Sequence, residues 1–319
     1  MRETRVSFYS EGSVLAGILR QPDDLPVPGP GIVQGPGWLG LKDAQLYLPY
    51  HEALTAAGYS VLIFDYRGFG ESEGDSGLLL PQLQLEDLIN AVTYMTTRDD
   101  IDLDNLGVFG SGGTGGGNAV LLAALDTRIR VAVSQVPVAD GEDWLHRMRR
   151  EYEWQEFLAR LETDRRQRVL SGSGEMVHPR EEIMVPTPER RATKVKADVD
   201  DKIPSLVPLR CAEAIMQYRP IDVVDQIAPG GLMVIGVEND ATTPTDHAVS
   251  LYERARAPKK LVMQSHTTHY AAYKQYGDYV IPLIVDWSAS HFDGGAVRVK
   301  SAVSTETDAL VIKEATVGE

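Results

Sequence analysis

Leu106-Gly107-Val108-Phe109-Gly110-Ser111-Gly112-Gly113-Thr114-Gly115-Gly116-Gly117 carries a short apolar strand pattern straight into a helix through residues with almost no side-chain volume. Three kinds of site use such a turn. Gly110, Gly112 and Gly115 match the G-x-G-x-x-G spacing of a dinucleotide fingerprint, but the next strand ends in Gln135-Val136-Pro137, with no acid for a ribose. A Walker-type phosphate loop needs Lys-Ser/Thr after its last glycine, and none follows Gly117. The third is a nucleophile elbow, in which G-x-S-x-G packs small residues around a strained, exposed nucleophile between strand and helix.

Outward from this turn, strand and helix alternate. Residues 4–9 and 14–20 predict two strands around Ser10-Glu11-Gly12, and 31–33 a short buried strand. Helical spacing over 42–57 stops at Gly58, a residue suited to a left-handed helix end. Residues 59–65 form an apolar run without alternation, the pattern of a parallel strand buried on both faces. Helices are predicted over 82–95 and 116–125, with strands over 106–109 and 129–136. After an interruption come a strand at 232–237, a helix at 246–256, a strand at 260–264 and a helix at 270–288. The expected fold class is α/β: a mostly parallel twisted sheet with right-handed crossovers and helices on both faces.

The interruption, 139–225, is helical and charged, and predicts a helical insertion into a core made of 1–138 and 226–292. Within it Trp154, Phe157, Leu158 and Leu161 share one helix face, a stripe suited to core packing. The seven arginines between 147 and 168 share the stretch 142–168 with seven acids, which predicts a solvated face of alternating charge. Past Phe292 the segment 293–319 alternates apolar residues at Val297 and Val299 without a second core, and is expected to be an arm or a disordered end.

Composition narrows the partners. The chain has 319 residues, 31 basic and 46 acidic, for a net charge of −15, so polyphosphate is repelled and nucleic acid is not an expected partner. A hydrophobic share of 43 % with 24 % charged residues is globular composition. One cysteine, Cys211, excludes an internal disulfide and a cysteine-based zinc site, and reads as a small buried hydrophobe. The first residues lack the apolar stretch of a signal peptide, and no run is long and apolar enough to span a membrane, so a cytoplasmic protein without a membrane partner is expected.

Three further segments accompany the glycine turn: Gly35-Pro36-Gly37-Trp38-Leu39-Gly40-Leu41-Lys42-Asp43, Asp65-Tyr66-Arg67-Gly68-Phe69-Gly70-Glu71-Ser72, and the late pair Glu238-Asn239-Asp240-Ala241-Thr242-Thr243-Pro244 and Thr268-His269-Tyr270. With them the chain, over about 4–290, resembles the α/β-hydrolase family, most closely bacterial esterase or acyl-peptidase-like members with a helical cap. The resemblance implies Asp240 as the acid, His269 as the general base, and the backbone N–H groups of Trp38 and Gly113 as oxyanion donors. It departs at the nucleophile. Aligned from the strand the family's serine falls on Gly112, and from the helix on Gly113. Ser111 lies one residue early, and Thr114 fits Gly112-Gly113-Thr114-Gly115-Gly116 but carries a β-branch into a crowded turn. The position is otherwise a bare glycine, native or standing in place of a serine.

Asp240 and His269 each follow a predicted parallel strand, so both emerge at the carboxyl edge of the sheet beside the glycine turn. His266 is the other histidine near enough for the role, while His51, His146, His178, His247 and His291 read as surface residues without metal-ligand spacing. Two chemistries remain open. One is hydrolysis of small-molecule esters, amides or activated carbon–carbon bonds with a hydroxyl at or beside position 112. The other is a His269–Asp240 general base without a nucleophile, as in lyases, decarboxylases or cofactor-free oxygenases. A non-catalytic binding protein on the same scaffold is the third possibility. No cofactor or metal is called for, the partner is a small-molecule substrate, and a homodimer is open. Trp144, Met148 and Trp154 are candidates to line an acyl or aryl pocket, and Arg67 and Glu71 read as ties for the turn after Asp65.

Overall fold

A computed structural model describes residues 1–24, 28–193, 198–292 and 310–316. In chain order the elements are β1 (Arg2–Ser10), β2 (Ser13–Gln21), β3 (Gly29–Gly35), α1 (Leu48–Ala56), β4 (Ser60–Phe64), α2 (Pro81–Thr96), β5 (Ile101–Ser111), α3 (Gly113–Leu125) and β6 (Ile129–Gln135). An insert follows with α4 (Gly141–Arg147), α5 (Glu151–Ser171), β7 (Met176–Val177), α6 (Pro188–Ala192), β8 (Val207–Pro208) and α7 (Arg210–Met216). The chain then returns through β9 (Gly231–Val237), α8 (Thr245–Arg254), β10 (Lys259–Gln264), α9 (Ala271–Gln275), α10 (Gly277–His291) and β11 (Leu310–Ala315).

The strands form one nine-stranded sheet in the order β1-β2-β4-β3-β5-β6-β9-β10-β11. Ladders from β4 through β10 are parallel, and antiparallel pairs close both edges. Every residue of β4 and β9 is buried, because helices cover both faces. Alternate residues feed two cores. Leu62, Val108, Ala132 and Val234 join the core under α2, α3 and α8. Val61, Phe109, Val133 and Ile235 join the core under α1 and α10. With the period-2 alternation of strand side chains, a one-residue slip would exchange the two sets.

Three boundaries differ from the sequence expectation. The helix predicted over 42–57 begins only at Leu48, since Pro49 lacks an N–H and fits a helix only in its first turn. Upstream of it, Lys42 is drawn onto Asp65 instead. The helix predicted over 270–288 is two helices that meet at Tyr276, whose φ of −112° is not helical. Thirdly, α3 begins at Gly113 rather than at 116, so most of the glycine run is helix and a single residue, Gly112, makes the turn.

The insert between β6 and β9 is mostly helical. Trp154, Phe157 and Leu161 of α5 are buried, whereas Leu158 is partly exposed. Cys211 is buried in α7, and burial pushes its thiol up to about 11. Past Phe292, Leu310–Ala315 pairs antiparallel with β10, with Lys260 Nζ 3.0 Å from Glu314 Oε2. The arm thus supplies an edge strand, while Val297 and Val299 lie outside the described residues. Among the described residues no helix is long and apolar enough to cross a membrane.

Candidate active site

Gly112 joins β5 to α3 with φ +84° and ψ 162°, a conformation open essentially to glycine alone. Space distinguishes it from its neighbours. A Cβ at Gly113 would approach Val138 Cγ2 to 3.0 Å, at Gly115 it would meet Gly37 Cα at 2.9 Å, and at Gly116 the Gln135 carbonyl at 2.8 Å. At Gly110 and Gly117 it would collide with the Gly115 carbonyl and the Tyr218 hydroxyl. At Gly112 its nearest neighbours are Gly37 Cα at 3.4 Å and Tyr273 Oη at 3.9 Å. Packing thus requires glycine at 110, 115, 116 and 117 and is tight at 113, whereas at Gly112 only the backbone angles call for it. Gly37 lets the loop after β3 lie directly against this turn, because a side chain there would strike the Ser111 carbonyl.

Asp240, after β9, and His269, after β10, meet as the topology predicts. His269 Nδ1 lies 2.7 Å from Asp240 Oδ2. The other carboxylate oxygen accepts the backbone N–H groups of Thr242 at 2.7 Å and Thr243 at 3.0 Å, and Thr243 Oγ1 donates to Oδ2 at 3.0 Å. Burial pushes the Asp240 carboxyl up, but the imidazole and these hydrogen bonds outweigh it and hold the group below the usual carboxylate range. An ionised carboxylate only accepts, so Nδ1 carries a proton and the neutral ring keeps its lone pair on Nε2. His266 is exposed, with a left-handed backbone at φ +54°.

His269, Gly112, Gly113, Trp38, Trp144 and Tyr273 line one cleft. Gly113 contributes the first N–H of α3, which has no partner within its helix. The two tryptophans meet edge to face at 5.5 Å, and Trp144 Nε1 donates to the Thr242 carbonyl at 2.8 Å. The remaining candidates fall elsewhere. Ser111 touches the cleft, but its hydroxyl is buried and shared between Gln135 Oε1 and Tyr273 Oη, both at 3.1 Å. Thr114 is buried within α3 and does not line the cleft. Met148 faces a separate depression between α4 and the Thr187 region, and Trp154 stacks on His146 inside the insert.

Sequence reasoning passed over several residues. Arg180 and Arg190 of the insert and Tyr270 and Tyr273 border the cleft. Tyr273 was hidden within a helical prediction, although its position four residues after His269 is one helical turn away. Two histidines expected at the surface are buried. His51 accepts from Arg20 Nη1 at 2.5 Å and bonds Gln34 Oε1; burial, then the arginine charge, lowers its pKa to about 3. His247 accepts the Ala139 N–H at 3.1 Å and reaches Asp143 Oδ2 at 2.8 Å. The Asp65 turn is tied more tightly than expected. Lys42 Nζ, itself buried, sits 2.8 Å from Asp65 Oδ2 and 2.5 Å from Glu71 Oε2, and Arg67 Nε donates to Asp87 at 2.7 Å.

A mostly parallel sheet flanked by helices, with a glycine turn at its carboxyl edge beside an acid–imidazole pair, defines an α/β-hydrolase. Residues 26–271 match the model of the family described as X-Pro dipeptidyl-peptidase (S15 family), and the chain belongs to that family of hydrolases. It is 29 % identical over 267 residues to an uncharacterized 31.7 kDa protein of the traX-finO intergenic region of Escherichia coli, covering 82 % of this chain and 91 % of that one. A thiohydrolase, aneE, of Aspergillus aculeatus is 34 % identical over 115 residues, 35 % of each chain. Among solved structures, the α/β hydrolase GrgF from a Penicillium species superposes with a TM-score of 0.75 at 21 % identity, covering 91 % of this chain and 99 % of that one, a likeness of fold.

Proposed function

We propose that the chain hydrolyses small-molecule acyl bonds, ester, thioester or amide, using water activated by His269. The observation that carries this reading is the 2.7 Å His269–Asp240 contact in a cleft shared with Gly112, where a side chain is missing and space is left for one. A water in that space gives its proton to His269 Nε2 as its oxygen attacks the acyl carbon. Asp240 holds the ring in the required tautomer and stabilises the imidazolium. The carbonyl oxygen becomes an oxyanion facing the N–H groups of Gly113 and Trp38. Collapse breaks the acyl bond, the leaving alcohol, thiol or amine takes the proton from His269, and the acid is released. The insert 139–225 acts as the cap over this cleft, with Trp144 as its apolar wall.

A relative named a thiohydrolase supports the substrate class, and the family's name supports hydrolysis of an acyl bond. The test is turnover of a panel of 4-nitrophenyl esters and thioesters by the native chain, His269→Ala and Gly112→Ser, with fluorophosphonate labelling of each. The native chain is expected to turn over slowly without labelling, His269→Ala to lose that turnover, and Gly112→Ser to become labelled. A native chain that is inert on every member, beside a Gly112→Ser form that is active, contradicts water activation.

A further inference from the structure

Resting on the acyl-hydrolase reading of the cleft, we infer that its substrate carries an anionic group, a carboxylate or phosphate, bound at the mouth by Arg190 together with Arg180. The chain as a whole is strongly acidic, at −15, yet among the described residues lining this cleft there is no aspartate or glutamate. The formal charges there are two guanidinium groups. Arg190, on α6, has no carboxylate partner among the described residues; its guanidinium carbon lies 5.8 Å from the ring centre of Tyr270, the residue after His269. Arg180 donates from Nη2 to the Leu39 carbonyl at 3.3 Å, which anchors it beside the loop that carries Trp38.

Two acids beside the cleft are turned to other groups. Glu189 Oε1 is turned onto the Thr268 hydroxyl and the Tyr270 N–H, and Asp240 is buried behind His269. A guanidinium fork matches the paired oxygens of a carboxylate or phosphate and is weakly hydrated, so it binds such a group at low desolvation cost. With no carboxylate in the lining itself, these guanidinium groups are the charged donors an anion entering the cleft would meet. The same arrangement opposes the substrate in the family's name. A dipeptidyl-peptidase must hold a free N-terminal ammonium, which calls for a carboxylate in the cleft, and Arg190 and Arg180 offer it repulsion.

The test compares mono-4-nitrophenyl adipate with 4-nitrophenyl hexanoate, esters of equal chain length that differ in a terminal carboxylate. The native chain is expected to favour the anionic ester about tenfold in kcat/KM, chiefly through KM. Arg190→Gln is expected to remove that advantage, Arg190→Lys to keep part of it, and Arg166→Gln, an exposed arginine of α5, to leave the ratio unchanged. Equal kcat/KM for the two esters, or a preference that survives Arg190→Gln combined with Arg180→Gln, overturns the inference and leaves the hydrolytic reading intact. If neither ester is turned over, binding decides, read as quenching of Trp38 and Trp144 fluorescence by adipate and, separately, by hexyl phosphate. Binding of either that weakens about tenfold in Arg190→Gln keeps the anion site, names its preferred oxyanion and rejects the hydrolytic reading. No binding of either overturns both.

Discussion

Two aspartates stand just beyond parallel strands of the same sheet, and their surroundings differ. Asp65 follows β4 and is closed over by Lys42, whose ammonium is buried with it, and by the backbone N–H groups of Lys42 and Glu71. Asp240 follows β9 and is equally buried, but its partner is an imidazole that borders a cleft. The first pair is charge satisfied by charge and closed off from any cleft. The second pairs a carboxylate with a ring that lines the cleft. Burial alone therefore does not distinguish the two; the partner, and whether it borders a cleft, does.

The comparison can be broken at either end. The largest effect is expected at His269→Ala, a loss of ester turnover of about a thousandfold, with the urea midpoint nearly unchanged. Lys42→Met should do the reverse: about 3 kcal/mol less stability in urea unfolding, because Asp65 is left buried without its ion partner, while the folded fraction keeps its kcat. If Lys42→Met instead abolishes turnover in fully folded protein, the division between the two aspartates fails. Asp240→Asn should cost about a hundredfold in kcat, since the amide can donate to Nδ1 and so permits the wrong tautomer.

The smallest effect concerns a third buried group. His51 is neutral in the fold, its pKa lowered to about 3 by burial and by Arg20. The unfolded chain takes up a proton near pH 6.5 that the folded chain refuses, so stability from this residue is present above that pH and is lost as pH falls toward 3. Between pH 7 and pH 5 the loss is about 2 kcal/mol. Urea midpoints at the two pH values should therefore differ more in the native chain than in His51→Gln. An equal slope in both would mean that His51 does not set the acid side of the stability curve.

Much of this architecture was legible in the sequence because its signals are local. The unbroken apolar runs at β4 and β9 announced strands covered on both faces, and the positions of Asp240 and His269 just past strands fixed which rim of the sheet they reach. What escaped was decided by contacts distant in sequence. Lys42 looked helical until Asp65, across the loop, claimed its side chain and backbone. His51 and His247 carry no local mark of burial, since their partners Arg20, Gln34 and Asp143 come from other elements. Trp144 and Trp154 are alike as residues, and only the path of the insert places one beside Trp38 and the other against His146. The edge strand Leu310–Ala315 needed β10 as a template before its alternation meant anything.

The most direct test of water acting in place of a side chain at Gly112 is the first turnover. Native protein mixed in stopped flow with excess 4-nitrophenyl acetate, with intact mass recorded after quenching, should release nitrophenol linearly from the first turnover and show no acetylated species. A burst equal to the protein concentration, with an added acetyl group on Ser111 or any other side chain of the cleft, or on the buried Thr114, would contradict the account.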